Sequence, residues 1–474
     1  MFFPHSSAQT GSYFSSSGFY PSNGGQIIIH FWVDITHLNC LTMRKLILFV
    51  FMLSALSSIA CTSVLISGRR TASGKPIIFK NRDTGCLDNR LQWWDVNGVR
   101  FVGIVNSPVA DGEIWSGTNS YGFSILNTAD YNFNEDSLYA DYQKRILALE
   151  RQGQDASALR EELRRFSDGW LKDPRKIQMD REGEVMYKAL AVCRTVEDFL
   201  HLLDTLPKPL GVETNFGVCD AEGGCMYVEC NNWRYVTYDV NALPEGYKVQ
   251  TNYAFAGNTE DRMGVERYKT ASAIMAEQQA KYPTGDLHID NAWLLKHFSR
   301  SFRHETLGTS ECYCPKSGVC VDQDFIPRRI TSCTFYAEGR DVWTLLGYPC
   351  CGVSFPIVVA DRDILPAESK RTADNENCAF SDTNMKIKMQ YLFPEKISNG
   401  KYYLHIGWIQ KGDKQHPAMN KLCTEAEKQI RERWYPIFRA WQTGQLSDQE
   451  FYVQYQEISK SFYPIYLNAF KAYL

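Results

Sequence analysis

Residues 61–85 read CTSVLISGRRTASGKPIIFKNRDTG, and this stretch decides how the chain folds. It holds two short runs of apolar and β-branched residues, SVLI and PIIF, separated by glycine, serine and threonine. Such runs are typical of strands joined by a turn. The second run ends in the polar residues Lys80, Asn81, Arg82 and Asp83. The pattern predicts the start of an antiparallel sheet, with Cys61 at its beginning.

The residues before Cys61 predict an export signal. Residues 43–60 read MRKLILFVFMLSALSSIA, with a short basic start, an apolar stretch and small residues at the positions that a signal peptidase reads. We expect cleavage after Ala60, so that residues 61–474 are the mature protein and Cys61 is its first residue. We expect Met43 to be the biological start, and residues 1–42 not to belong to the mature protein.

Two alternatives to this cleavage stay open. A transmembrane anchor would need about 20 apolar residues to span a bilayer, and the run here is shorter. A lipoprotein also begins with cysteine, and acylation would block the amine of Cys61. Its signal usually has an aliphatic residue three positions before the cysteine, where this chain has Ser58. We therefore expect a periplasmic or extracellular protein, with a lipid-anchored protein as the alternative.

A terminal cysteine carries its own base. A thiol becomes a good nucleophile only when its proton is removed, and a nearby histidine usually removes it. The α-amine of an N-terminal residue has a pKa of about 7.7 to 8.0, so it can accept that proton directly or through one water. No Cys/His pair is required, and we assign none of the nine histidines to catalysis.

Composition excludes several classes of protein. With 44% hydrophobic and 22% charged residues the chain is globular, neither disordered nor fibrous. Lys+Arg 51 against Asp+Glu 54 gives a net charge of -3, which argues against nucleic acid as a partner.

We expect one domain over 61–474, with a helical insertion at about 135–206 and two amphipathic helices at about 419–472. Runs of strands with runs of helices predict an α+β fold.

The 15 cysteines have two interpretations besides catalysis. Cys312, Cys314 and Cys320 could suggest zinc, but the first pair is separated by one residue and no second half follows, so we expect no metal. Four others fall on predicted strands, and we interpret them as small apolar core residues: Cys219, Cys225, Cys230 and Cys333. The sequence does not determine a disulfide pattern.

The segment from Cys61 to Asp83 resembles the start of the N-terminal-nucleophile (Ntn) hydrolases of the choloylglycine hydrolase and penicillin acyltransferase type. In that family a first-residue cysteine lies on a strand and a second strand ends in a motif close to RNxD. The resemblance implies that Asp83 holds the α-amine of Cys61. The family's arginine falls on Lys80, which keeps the charge and loses the planar fork, with Arg82 as a substitute for it.

Three later segments extend the resemblance. WSGTNSYGFSILNTA offers Asn119 and Asn127, of which Asn127 is the better match to an active-site asparagine; the alternative is a strand-end residue that caps a turn. YKVQTNYAF puts Asn252 where the family has an oxyanion-hole asparagine. IPRRITSCTFYAEG offers Arg329, with Arg328 as the alternate, as an arginine near the nucleophile.

The resemblance implies a four-layer αββα sandwich and cleavage of a linear amide C–N bond through a thioester on Cys61. It implies no cofactor and a small-molecule amide as partner: an N-acyl amino acid, a bile-salt conjugate, a penicillin-like compound or an N-acyl lipid. We expect no stable membrane span after signal cleavage, and we leave a homo-oligomer open. The alternatives are a non-catalytic, lipid-anchored binding protein and an inactive member of the fold.

Overall fold

The apolar runs after Cys61 form strands, and the longer charged stretches form helices. The predicted signal peptide and the segment before it, residues 1–60, lie outside the described residues. The described residues belong to one structural unit. This computed structural model describes residues 61–108, 112–133, 135–170, 180–372, 374–397 and 401–474.

Every pairing between neighbouring strands of the described residues is antiparallel. The strands are β1 (Thr62–Ile66), β2 (Ile77–Asp83), β3 (Asn89–Val96), β4 (Val99–Asn106), β5 (Ser116–Asn119), β6 (Ser124–Ala129), β7 (Thr214–Cys219), β8 (Cys225–Cys230), β9 (Tyr235–Asp239), β10 (Tyr247–Gln250), β11 (Cys320–Val321), β12 (Thr331–Glu338), β13 (Asp341–Leu346), β14 (Phe355–Ile357) and β15 (Tyr403–Leu404).

The helices lie outside the two large sheets. They are α1 (Glu135–Arg151), α2 (Ser157–Trp170), α3 (Glu182–Val192), α4 (Val196–Thr205), α5 (Val265–Lys281), α6 (Asn291–Leu294), α7 (Ala379–Ile387), α8 (Ile406–Gln410), α9 (Met419–Gln442), α10 (Asp448–Ser459) and α11 (Phe462–Ala469). The first four lie in the stretch predicted to be a helical insertion.

The two large sheets pack face to face. One has six strands in the order β10-β1-β2-β12-β13-β14, and the other has seven in the order β3-β4-β5-β6-β7-β8-β9. Strand β2 contacts β6 and β7, and β1 contacts β8. Helices α5, α7 and α9 contact strands of the six-stranded sheet, and α3 contacts β4, β5 and β6. The layers therefore run helix, sheet, sheet, helix, which confirms the predicted α+β fold.

The C-terminal segment differs from the prediction of two helices. It forms three, α9, α10 and α11. Lys460 and Ser461 keep α-region dihedrals, but the hydrogen-bond pattern is interrupted there, with Ser461 N–H bonded to the Ile458 carbonyl oxygen, and the helix restarts at Phe462. Pro464 stands in the first turn of α11, where the missing N–H of proline costs no hydrogen bond. The apolar side chains of these helices read as one continuous pattern, so the break was not visible from periodicity.

None of the helices among the described residues is long and apolar enough to cross a lipid bilayer.

Candidate active site

The end of strand β2 places charged side chains on both of its faces. Successive residues of a strand point to opposite sides. The Lys80 Nζ therefore reaches Asn127 of the seven-stranded sheet at 2.8 Å, whereas Asp83 turns to the other side and accepts a hydrogen bond from Thr331. Both are buried, at 1% and 0% exposed. Strand β2 thus places the side chain of Lys80 on the face towards the seven-stranded sheet and the side chain of Asp83 on the opposite face.

Cys61 stands directly before β1 and is 2% exposed. Thr62 pairs with Asn81 of β2, so continuing this register by one residue places Cys61 opposite Arg82. The Cys61 Sγ lies 3.8 Å from the backbone carbonyl oxygen of Asp83. The antiparallel pairing of the first two strands therefore brings the cysteine and the aspartate together, although 21 residues separate them in sequence.

The carboxylate of Asp83 is held by Arg328 and Thr331, with a longer hydrogen bond of 3.4 Å from Asn81 Nδ2. Arg328 Nε donates to its Oδ2 at 2.9 Å, and the hydroxyl of Thr331 donates to its Oδ1 at 2.6 Å. Burial raises the pKa of Asp83 above its usual range, and the nearby guanidinium groups of Arg328 and Arg267 oppose that rise. The group is therefore a fixed acceptor whose charge depends on these arginines.

Arg267 of α5 links three parts of the site. Its Nη1 donates to the Cys61 carbonyl oxygen at 2.7 Å, its Nη2 donates to Asn252 Oδ1 at 2.9 Å, and its Nε donates to Asp324 at 2.9 Å. Arg267 was not predicted from the sequence. Its signal was its position on the buried stripe of α5, four residues before Ala271.

Asn252 follows β10 and lies beside the same arginine. Its Oδ1 accepts from Arg267, and its Nδ2 donates to the Ala129 carbonyl oxygen at 2.8 Å. The amide is thus fixed in orientation, with its nitrogen directed away from Arg267.

Lys80 and Asn127 meet in the space between the sheets. Besides Asn127, Lys80 donates to the Trp115 carbonyl oxygen at 2.8 Å, and Asn127 Nδ2 donates to Thr214 at 3.3 Å. Burial lowers the pKa of Lys80 to about 8, while the neighbouring Cys61 thiol raises it. Asn127 therefore contacts the lysine that faces the cysteine.

Of the three predicted arginines, Arg328 binds the Asp83 carboxylate, and the contacts of Arg82 and Arg329 are with other groups. Arg82 donates to Asn89 and to Asn106, with its guanidinium carbon 5.0 Å from the centre of the Trp115 ring. Arg329 stacks on Tyr402, 4.2 Å from the ring centre. Arg328, the alternate, is the arginine that binds Asp83.

Asn119 has a structural environment. Its Nδ2 donates to the carbonyl oxygens of Leu190 and Cys193, and its Oδ1 accepts from the backbone N–H groups of Tyr121 and Phe123. All of these bonds hold the turn after β5 against α3. Of the two asparagines in this segment, only Asn127 contacts a residue beside Cys61.

A cavity of about 530 Å³ opens onto this cluster. This volume lies within the range of small-molecule sites. Cys61 is not one of the residues that line this cavity, but the lining residue Arg267 binds its carbonyl oxygen. Positively and negatively charged side chains both line the cavity. The lining residues include Tyr131, Asn252, Arg267, Asp324, Arg328 and Arg329.

The zinc alternative has no support in the part of the chain that the structure describes. No group of three or more His, Cys, Asp or Glu residues there could hold a metal ion. Cys312 is exposed, and Cys314 and Cys320 are partly buried.

Comparisons with known proteins give matches among solved structures alone. No family model matches the chain, and no curated protein is similar to it. An N-acylethanolamine-hydrolyzing acid amidase ortholog from Caenorhabditis elegans has a TM-score of 0.35 at 16% identity, over 59% of this chain and 93% of that chain. A mutant of conjugated bile acid hydrolase from Clostridium perfringens has a TM-score of 0.35 at 10% identity, over 64% and 93%. Penicillin V acylase from Agrobacterium tumefaciens has a TM-score of 0.33 at 11% identity, over 63% and 86%.

The likeness concerns the fold alone. The chain's own layers of strands and helices have the order expected from the resemblance to Ntn hydrolases. No residue role follows from these neighbours.

Proposed function

We propose that the protein is an exported cysteine Ntn hydrolase or acyltransferase that cleaves a linear amide C–N bond. The observation that carries the proposal is the convergence of Cys61, Asp83 and Asn252. They are distant in sequence, yet Arg267 binds the first and the third, and Arg328 beside the cavity binds the second. Removal of residues 1–60 would expose Cys61 as the first residue.

The chemistry begins with a proton transfer. The α-amine of Cys61 accepts the thiol proton, and the thiolate attacks the acyl carbon of the amide. The carbonyl electrons move to oxygen, and the side-chain amide of Asn252 donates an N–H to this oxyanion. When the C–N bond breaks, the ammonium of Cys61 returns the proton to the departing amine. Water then hydrolyses the thioester, or a second amine captures the acyl group.

Asp83 would orient the α-amine during these transfers. The 3.8 Å contact between Cys61 Sγ and the Asp83 carbonyl shows how close the two residues lie. Arg328 and Thr331 fix the carboxylate, so an amine that binds to it has one position. A fixed base is needed because proton transfer requires contact over about 2.6 to 3.2 Å.

Lys80 would stabilise the thiolate. Among the described residues, its Nζ contacts two neutral oxygens and no carboxylate. A buried cation without a counter-ion is costly, and the ionised form of Cys61 supplies a counter-ion.

The test combines an intact mass with a substrate panel. The exported protein should begin at an unmodified Cys61, and it should turn over one class in a panel of N-acyl amino acids, bile-salt conjugates, penicillin V and N-acylethanolamines. Cys61→Ser should lower kcat strongly, and Cys61→Ala should abolish turnover. Cys193→Ala removes a buried thiol on the far side of the seven-stranded sheet and serves as the control.

Two outcomes would overturn the proposal. An acylated amine on Cys61 cannot act as the base, so a lipid mass increment would exclude the mechanism. An active Cys61→Ala variant would exclude the nucleophile.

A further inference from the structure

Two cysteines face each other across the hairpin of β7 and β8. Cys219 ends β7, Cys225 begins β8, and the two are direct partners in the strand register. Their sulfur atoms lie 3.5 Å apart. Both side chains are buried, at 3% and 2% exposed, on the side of the sheet that packs against the six-stranded sheet.

The backbone at this position suits a covalent bridge. The next pair towards the turn is joined by a hydrogen bond from Asp220 N–H to the Gly224 carbonyl oxygen, at 3.1 Å. Because bonded and non-bonded pairs alternate along an antiparallel ladder, Cys219 and Cys225 occupy a non-hydrogen-bonded pair. Cα atoms in such pairs are about 4.5 Å apart, within the range of about 4.4 to 6.8 Å that disulfides require.

The turn between β7 and β8 keeps Cys219 opposite Cys225. Asp220 Oδ1 accepts from the backbone N–H groups of Glu222 and Gly224 at 2.9 and 2.8 Å, and its Oδ2 accepts from Val196 N–H at 2.8 Å. Gly223 has a φ of 103°, which side-chain-bearing residues rarely adopt. A one-residue slip of the hairpin would break these bonds, so the two thiols stay opposite each other.

We propose that Cys219 and Cys225 form a disulfide across β7 and β8. Each thiol loses one proton and one electron, and one S–S bond forms. The S–S bond of the oxidant, a disulfide oxidoreductase or oxidised glutathione, breaks and takes up both electrons and both protons, which gives two thiols. The reaction passes through a mixed disulfide, which the second thiol displaces. Because the folded sheets cover both sulfur atoms, the bridge forms while the hairpin is still accessible during folding.

The bridge would act on the strand next to Cys61. Tyr227 lies two residues after Cys225, on the same face of β8. Its hydroxyl oxygen lies 2.8 Å from the hydroxyl oxygen of Ser63 on β1. The disulfide fixes β8 against β7, and the hydrogen bond of Tyr227 holds β1 to β8. This inference does not depend on the proposed amidase activity.

The experiment counts thiols in one peptide of the full chain. The protein is unfolded, refolded in a mixture of oxidised and reduced glutathione, quenched in acid, and alkylated in denaturant with iodoacetamide. Trypsin cleaves after Arg194 and Arg234 but not between Lys208 and Pro209, so peptide 195–234 carries Cys219, Cys225 and Cys230. Half of the sample is reduced before alkylation.

We expect about nine-tenths of the unreduced peptide to carry one alkyl group, on Cys230, and the reduced peptide to carry three. The bridged peptide should also weigh about 2 Da less than its dithiol form, because two hydrogen atoms are lost. Three alkyl groups in the unreduced sample, or a bridge to Cys230, would overturn the proposal. This count is made on the wild-type chain, so it does not require any variant to fold.

A matched variant assigns the bridge. Cys230 lies on the same strand, is also buried, and points to the opposite face. Cys230→Ala should leave no alkyl group on the unreduced peptide, whereas Cys225→Ala should leave two. The readout is independent of turnover, so failure of the Cys61 mechanism would not change it. Retention of the bridge in Cys225→Ala would show that a different pair of cysteines had formed it.

Discussion

The Asp83–Arg328 pair and the Arg300–Glu427 pair both bury an arginine against a carboxylate, but they are built differently. In the second pair all three guanidinium nitrogens of Arg300 donate, to Glu427 at 2.6 and 3.0 Å and to the carbonyl oxygens of Pro349 and Gly352. In the first, the Nη2 of Arg328 has no hydrogen-bond partner among the described residues, although its surroundings are buried.

Under the proposed function, this difference would separate a structural pair from a catalytic one. Arg300 and Glu427 tie α9 to the turn after β13, and their bonding capacity is used within the protein. Arg328 lines the cavity and keeps a donor for a group that the protein itself does not supply. Perturbing the first pair should change catalysis, and perturbing the second should change stability.

The largest effect should follow from Asp83→Asn. The neutral amide cannot hold a protonated α-amine, so we expect kcat to fall by about 10⁴-fold, or about 5.5 kcal/mol of activation free energy. Arg328 keeps a second carboxylate, that of Asp324 at 3.1 Å, and burial, which raises the pKa of Asp83, no longer opposes a charge at this position. We therefore expect a smaller loss of the free energy of unfolding in urea than the loss from Glu427→Gln. A large loss of stability with retained kcat would make this pair structural as well.

Glu427→Gln should show the opposite behaviour. It leaves the buried Arg300 without its counter-ion, and breaking a buried ion pair from one side typically costs about 3–5 kcal/mol. We expect that loss in urea denaturation, with kcat per folded molecule unchanged. Glu425→Gln, on the exposed side of α9, is the matched control and should stay within about 0.5 kcal/mol of the wild type. Loss of kcat without loss of stability in Glu427→Gln would overturn the distinction.

The sequence predicted the two strands that bring Cys61 and Asp83 together. It did not predict which arginines bind these two residues. The apolar runs after Cys61 predicted β1 and β2, and a short turn between antiparallel strands places Asp83 near Cys61 by geometry alone. Arg267 belongs to a helix 206 residues later, and a single arginine among the charges of ERYK does not show whether it faces the core. Its position depends on how α5 packs on β1 and β10, which periodicity does not determine.

The choice between Arg328 and Arg329 was also beyond the sequence. The two are adjacent, precede β12 and have the same charge. The register between β12 and β2 shifts between Thr331 and Cys333, and Thr331 remains opposite Asp83. That irregularity and the turn before it decide which arginine faces the carboxylate. Local secondary-structure propensity predicts neither the register irregularity nor the conformation of the turn.

Lys80→Met should have the third largest effect. It removes the cation facing Cys61 and should lower kcat/KM by about 10²-fold, or about 2.7 kcal/mol. Lys80→Arg keeps the charge and should retain most of the activity. Lys248→Met is the control, because burial also lowers the pKa of Lys248 to about 8 but it packs against Phe255, away from Cys61. Equal losses in both methionine variants would remove Lys80 from the mechanism.

The pH profile supplies a second readout for Lys80. Its pKa is lowered to about 8, so the cation is present below that pH and lost above it. We expect kcat/KM of the wild type to fall as the pH rises through about 8, and Lys80→Arg to remain active at higher pH. Since the unfolded lysine titrates near 10.4, the folded state binds fewer protons between the two values, and stability rises with pH in that window. Identical alkaline limbs in wild type and Lys80→Arg would contradict the assignment.

The smallest effect should come from an ion pair at the surface, which gives the comparison a third case. Arg303 donates to both carboxylate oxygens of Glu277, at 2.6 and 2.8 Å, so its geometry matches that of Arg300 with Glu427. Glu277 is 58% exposed in its side chain, however, and water replaces the lost bonds at little cost. We expect Glu277→Gln to lower the free energy of unfolding by less than about 1 kcal/mol, and less still in 1 M salt. A loss equal to that of Glu427→Gln would show that bidentate geometry, and not burial, sets the strength of these pairs.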